Sequence, residues 1–316
     1  MIQLKSTNQT IFLKYLYKFC LVLILIFNLI SCDKPTKLNS QTKNYSDNKD
    51  SYINSKSYSD ITLPNKITFC GENIPLDDNE VRERFEREFY LTLQQPGQII
   101  LYLKRSGHYF PTFEKIINQY NMHQDIKYIS VAESALFMTR SNKGAVGLWQ
   151  FMPETAKNYG LEINTYVDER KHILKSTIAA MKYLKTSYER LNSWVLAAAS
   201  YNMGLGGLIG DMSYQKESSY FDLYLNDETS RYIFRILAIK EIMEHPDKYG
   251  FNIKNKDKYN VYNTKQVYVN YNIINLAEWS KNNYTTYKNV KTMNPWLISN
   301  KLVTNGKSYQ IEINKN

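Results

Sequence analysis

The chain has 316 residues, of which 43% are hydrophobic, and a formal net charge of +10. That length suits about two domains, the apolar share excludes wholesale disorder, and a mean hydropathy of −0.49 excludes a multi-span membrane protein. The charge sits at the ends: residues 76–250 hold 21 basic against 22 acidic side chains, 251–316 ten against three, and 1–32 three against none.

At the N-terminus, Lys14 and Lys18 precede an apolar run from Phe19 to Ile30, broken only by Asn28. Its length matches the hydrophobic region of a signal peptide and is short for a membrane span. It ends in Leu29-Ile30-Ser31-Cys32, which resembles a bacterial lipobox. That resemblance implies lipidation of Cys32, cleavage before it, and export of the rest of the chain. An ordinary signal peptide or an uncleaved anchor is the alternative. From Asp33 to about residue 74 the composition is Ser, Asn, Lys, Asp and Tyr with few apolar anchors, as in a flexible tether. No cysteine follows Cys70, so the body of the chain has neither an internal disulfide nor a cysteine-based metal site.

Ordered structure is expected from Pro75, with Asp77 or Asp78 capping a helix whose Val81, Phe85 and Phe89 recur every four residues. Helical patterns follow over about 98–105, 111–120, 126–138, 153–159, 168–191, 193–201 and 227–244. No run of alternating strands precedes residue 250, so the middle of the chain is a helical domain over 75–250. Beyond Pro246 the pattern reads strand, helix, helix, strand, a small α+β module over 263–316. The four histidines lack metal-ligand spacing. The glycine-rich stretch Gly204–Gly210 follows a helix and misses the spacing of a nucleotide-binding loop.

Glu133 is the one charged residue in the run Tyr128–Met138. On a helix, Ile129, Ala132 and Leu136 flank it. Burial among apolar groups raises a carboxyl pKa and suits it to donate a proton near neutral pH. The alternative is a structural carboxylate, partly exposed or paired with Lys127 or Arg140. Next come Ser141 and then Gly144-Ala145-Val146-Gly147-Leu148-Trp149-Gln150, where two glycines allow tight turns. Trp149 and Gln150 supply the apolar face and the polar amide expected of a sugar-binding cleft. Fifty residues on, Ala197-Ala198-Ala199-Ser200-Tyr201-Asn202 combines small residues with a Tyr-Asn pair at a helix end.

In this order and spacing the Glu-Ser, Gly-Leu-Trp-Gln and Ser-Tyr-Asn elements resemble the signature motifs of the lytic transglycosylases of glycoside hydrolase family 23. The Leu-Trp-Gln form, Asp227–Tyr232 and the lipobox point to the membrane-bound D type. The resemblance implies a mainly α, lysozyme-like catalytic domain that cleaves peptidoglycan glycan strands between N-acetylmuramic acid and N-acetylglucosamine. It implies 1,6-anhydro ends and no cofactor; the placement of cysteines and histidines argues against a metal, and a neutral main segment in an exported chain argues against a nucleic-acid partner. The resemblance makes Glu133 the sole catalytic acid/base and Ser141, Gln150, Tyr201, Asn202, Glu228 and Tyr232 substrate-binding residues. No second carboxylate lies within the three core motifs, which favours one acid over the usual glycosidase pair. Three features depart from the family pattern: Ser200 replaces Ala, the interval from Glu133 to Ser141 is one residue short, and Met203 replaces a small residue.

Within 263–316, Val267–Val269, Leu276–Trp279, Tyr287, Asn294–Leu297 and Tyr309–Ile313 resemble a degenerate LysM module, a sugar-binding unit, without its usual Gly-Asp-Thr start. Together these features imply a peptidoglycan-active lipoprotein facing the periplasm from a membrane. A non-catalytic wall-binding lipoprotein and a muramidase releasing reducing ends are the competing readings.

Overall fold

The computed structural model describes residues 61–315, so the leader, Cys32 and the first part of the tether lie outside the described residues. Residues just ahead of Pro75 correct the tether's expected end. Strands β1 (Thr68–Phe69) and β2 (Glu72–Asn73) form a hairpin, and Ile67, Phe69 and Ile74 are buried in the helical core. Its turn puts Cys70 and Gly71 at positive φ, +50° and +86°, as a two-residue hairpin requires.

Two carboxylates anchor this hairpin from outside local sequence reach. Asp125 accepts from Cys70 N at 2.8 Å and from Lys240 Nζ at 2.8 Å. Glu72 accepts from Ser193 Oγ at 2.8 Å and from the backbone amides of Trp194 and Val195, where a helix start carries unpaired donors.

Helix α1 (Asn79–Leu93) starts as expected, with Asp78 accepting from Glu80 N and Val81 N. Its face of Val81, Phe85 and Phe89 packs on a long later helix, α8 (Asp227–Glu244). Helix α2 (Pro96–Gln119) replaces the two helices expected over 98–105 and 111–120, since it continues through Pro111. Ile99, Leu103, Ser106, Phe113, Ile116 and Ile117 keep one buried face across the proline, and that packing outweighs one lost backbone bond.

Helix α3 (Lys127–Ser134) stops four residues before its expected end. Ala135 and Leu136 both take positive φ, +56° and +52°, and Arg105 Nη1 holds the Ala135 carbonyl at 2.9 Å. Helices α4 (Pro153–Asn158), α5 (Ile173–Leu191) and α6 (Trp194–Met203) follow the expected pattern, although α5 begins after a 3₁₀ turn at Glu169–Lys171. Helix α7 (Leu205–Gln215) occupies the glycine-rich stretch and had not been expected. In α6, Ala197, Ala198, Ala199 and Ser200 have no exposed surface, so the serine that replaces alanine is a core residue. Its hydroxyl is satisfied by Ala197 O at 2.7 Å. Helix α8 is buried on most of its surface and forms the centre of the domain.

The C-terminal module has the expected order. Strand β3 (Thr264–Val269) pairs antiparallel with β4 (Tyr309–Asn314), with Val267 opposite Ile311, and between them lie α9 (Leu276–Asn282) and α10 (Tyr287–Met293). Its own core includes Leu276, Trp279, Val290, Trp296 and Ile311, and Val167 of the preceding domain is buried within it. Mainly helical with a small α+β appendage, the architecture agrees with the expectation. Among the described residues no helix is long and apolar enough to cross a membrane.

Candidate active site

Glu133 lies on the last turn of α3, its helix cut short by the left-handed pair that follows. Tyr232, fully buried on α8 and 99 residues away in sequence, donates its hydroxyl to Glu133 Oε1 at 2.5 Å. Burial pushes the Glu133 carboxyl up to about 7, against the Tyr232 hydrogen bond that favours its ionised form. The negative charge of Glu228 adds to the rise, and Arg235 opposes it. Both tyrosines beside it are driven well above the ordinary phenol value, first by burial and next by the charge of Glu133. They are neutral donors at any physiological pH.

The loop after α3 is a folded-back cradle. Ser141 N donates to Ala145 O at 2.9 Å, Ser141 O accepts from Gly144 N at 3.0 Å, and Ser141 Oγ accepts from Ala145 N at 3.0 Å. Gln150 takes φ +47° and returns its side-chain amide to Gly147 O at 2.7 Å and Thr139 O at 3.4 Å. Gly147 has φ +89°, and a Cβ there would sit 2.0 Å from Arg170 O, so no other residue fits without moving the backbone. The loop is riveted to α3 at Leu148, whose carbonyl accepts from Ser130 Oγ and Ser134 Oγ, each at 2.9 Å. These two serines flank Glu133 on the helix, so the loop carbonyl fixes the turn that carries the acid.

Trp149 departs from the expectation of a sugar-facing ring. It is completely buried, its Nε1 donates to Thr177 Oγ1 at 2.9 Å, and its ring packs 5.2 Å from Phe113. Buried indoles seek a partner for the N–H, and here α5 supplies it. The Trp149 carbonyl accepts the Tyr201 hydroxyl at 2.7 Å, which aims that ring from α6 towards the acid. Tyr201 also packs edge-on against Tyr183 and Phe151.

Beyond Tyr201, Asn202 accepts from Thr229 Oγ1 at 2.8 Å and donates to Glu228 Oε1 at 3.4 Å. Glu228 is exposed and also pairs with Lys143 at 3.3 Å. A modest burial cost on its charge is outweighed by these two donors, which leave its carboxyl below the usual range. It therefore stays ionised, held by the loop and α6, while Glu133 keeps a proton near neutrality.

Six of the seven residues predicted for the site thus fall into three connected groups. Glu133 meets Tyr232 directly, Tyr201 and Gln150 belong to the loop network, and Asn202 joins Glu228. Ser141 shapes the loop rather than meeting any of the other six. Sequence reasoning missed Thr229, which orients Asn202, and Lys143, which holds Glu228. It also missed Arg170, whose Nη1 donates to Gly144 O at 3.1 Å and Phe151 O at 3.2 Å, closing the loop from below. A separate groove of about 750 Å³, lined by Phe137, Tyr262 and Gln310 among others, lies between this domain and the C-terminal module and contains none of the seven predicted site residues.

Comparison with known families matches residues 111–223 to the transglycosylase SLT domain and residues 265–316 to the soluble lytic transglycosylase C-terminal LysM-like domain. Membrane-bound lytic murein transglycosylase D of Escherichia coli K12 is 29% identical over 152 residues, covering 45% of this chain and 33% of that protein. The same protein of E. coli O6:H1 strain CFT073 gives the same figures. The chain therefore spans about a third of the length of these curated relatives. The X-ray structure of an inactive mutant of lytic transglycosylase Slt from Pseudomonas aeruginosa aligns at 22% identity and TM-score 0.36, over 48% of this chain and 26% of that one. By the two family matches and the E. coli relatives, the chain carries a transglycosylase SLT domain followed by a LysM-like domain, and is homologous to the membrane-bound lytic murein transglycosylases D.

Proposed function

We propose that this chain is a peptidoglycan lytic transglycosylase with Glu133 as its only general acid and base. One observation carries the reading: a single carboxyl, pushed up to about 7 by burial, is held by a neutral tyrosine at the end of a motif-bearing helix. Protonated Glu133 donates to the glycosidic oxygen as the bond from C1 of N-acetylmuramic acid breaks. The resulting carboxylate then removes the proton from the 6-hydroxyl of the same sugar. That oxygen closes on C1 to give the 1,6-anhydro end, no water is consumed, and Glu133 regains its proton.

In this reading the neutral Tyr201 and Tyr232 surround the positive charge that develops at C1, and the substrate's own N-acetyl group replaces a second carboxylate. Ser141 and Gln150 each keep one polar function for sugar, the hydroxyl proton and the amide oxygen. Asn202 and Glu228 line the cleft beyond Tyr201. The catalytic domain spans about 67–250, with the hairpin included, and the LysM-like module 263–316. Cys32 anchors the protein to a bacterial membrane from which it faces the periplasm and its glycan substrate.

Mass spectrometry of the fragments released from purified sacculi tests the reading. Fragments ending in 1,6-anhydro-muramic acid support it. Reducing ends alone identify a hydrolase, and binding to sacculi without release identifies a wall-binding protein. Glu133→Gln should abolish release with the fold intact; retained activity removes Glu133 from the role.

A further inference from the structure

Residues 166–172 run between the two modules and are bonded to both. On the module side, Val167 pairs with Leu297 as an antiparallel bridge and is buried in the module's core. Asp168 N donates to Trp296 O at 2.8 Å, and Ile298 N donates to Tyr166 O at 3.0 Å. The imidazole of His172 stacks on Trp296 with ring centres 5.5 Å apart.

On the catalytic side the same few residues carry the active-site loop. Asp168 holds Arg170 through two parallel bonds of 2.9 and 2.8 Å, both side chains being buried. That fork leaves Nη1 to bind Gly144 O and Phe151 O, the two ends of the loop. The loop's middle rests on the strap as well, since Gly147 closes to within van der Waals range of Arg170 O only because it lacks a side chain.

We infer that this strap couples docking of the C-terminal module to the geometry of the active-site loop, and that Arg170 is the positioning residue that transmits it. The route is short. Module strand pairing fixes Asp168, Asp168 fixes Arg170, and Arg170 fixes Gly144 and Phe151. Between those ends lie the Leu148 carbonyl, which receives the serines flanking Glu133, and the Trp149 carbonyl, which receives Tyr201. A loop that relaxes by a few tenths of an ångström therefore misplaces the acid and the aromatic ring together. The module thus supports catalysis through a mechanical contact that is distinct from any sugar binding of its own.

Hydrogen exchange on the full chain tests this without reference to activity. Val167→Asp puts a carboxylate into the module's apolar core and should release the strap from the module. The amides of Asp168 and Ile298 should then exchange faster. Those of Val146 and Gly147, bonded to Phe151 O and Thr139 O, should follow by about tenfold or more, although neither touches the module. Ile298→Pro removes one backbone bond at an exposed position and serves as the second variant should Val167→Asp not fold. Release of the module amides with wild-type exchange at Val146 and Gly147 overturns the coupling.

Kinetics give a second readout, which rests on the activity proposed above. Val167→Asp and Arg170→Met should lower kcat about tenfold, with KM for glycan strands changing far less. Arg170→Lys should recover part of the loss, because it keeps the charge opposite Asp168 and one donor for the loop. A rise in KM at unchanged kcat overturns the positioning role. Coupled exchange in a chain that releases no anhydro fragments retains the coupling and rejects only the activity.

Discussion

Glu133→Gln should stabilise the protein above neutral pH and leave it nearly unchanged in acid. In the folded chain the carboxyl keeps its proton up to about 7, whereas its ordinary value is 4.5. Below about pH 4 both folded and unfolded chains carry that proton, and no free energy depends on it. Between 4.5 and about 7 the unfolded chain releases the proton and the folded chain retains it, so stability falls as pH rises. Above about 7 the folded chain bears the cost of a half-buried charge, at most roughly 3 kcal/mol at ~1.4 kcal/mol per pH unit. Glutamine cannot ionise and escapes that cost. Urea unfolding of both proteins near pH 4 and near pH 8 should therefore show their stability difference opening by at most roughly 3 kcal/mol in favour of the variant. A difference that is the same at the two pH values, or that widens in favour of the wild type, refutes the claim that burial dominates the environment of Glu133.

Two further predictions address the groups around the acid. Tyr232→Phe removes a hydrogen bond to the ionised carboxyl, worth about 1.5–3 kcal/mol, so the alkaline limb of kcat/KM should move up by about one to two pH units; a pH–rate profile of glycan release checks it. Gly147→Ala forces a Cβ against Arg170 O at positive φ and should cost at least about 2 kcal/mol in urea unfolding, together with most of the activity.

What the sequence disclosed follows from how local each cause is. Helix α8 was legible to the residue because Asn226 caps it and His245-Pro246 ends it, both within one turn of the boundary. Glu133 stood out because nothing near it in sequence shares its charge. The end of α3 was not legible, since it depends on Arg105 reaching Ala135 from 30 residues away. Pro111 pointed to a break that the buried faces on either side override. Trp149 was misplaced because a motif shows which residues occur together, and only packing decides which faces water. Asp168 and Arg170 were invisible as site residues for the same reason: their neighbours in sequence give no sign that Gly144, Phe151 and Trp296 converge on them. The hairpin before Pro75 was hidden by its polar flanks: its buried Ile67, Phe69 and Ile74 make no long apolar run, and Asp125, Glu72 and Lys240 hold it from afar.

The environment of Glu133 is built from opposed influences, and the proposed chemistry gives a reason for the balance. An acid that also serves as the base of the second step must hold a proton before cleavage and release it readily to the next catalytic cycle, so its pKa belongs near the working pH. Burial alone overshoots: a carboxyl sealed among apolar groups can rise well past neutrality and is then too weak an acid to donate readily to the leaving oxygen. Tyr232 supplies the counterweight, since its hydroxyl favours the ionised form without bringing a charge into the cleft. A lysine or arginine in its place would overcorrect and leave the carboxyl ionised. Glu228 then trims the value upward through space while remaining ionised in its pair with Lys143. Because Lys143 lies in the loop and Glu228 on α8, that trim depends on loop position, as does the carbonyl that orients Tyr201. The same displacement that misaligns the ring therefore also shifts the acid's titration, which predicts that Arg170→Met moves the alkaline limb of the pH–rate profile as well as lowering kcat. An unmoved limb in that variant would confine Arg170 to supporting the fold.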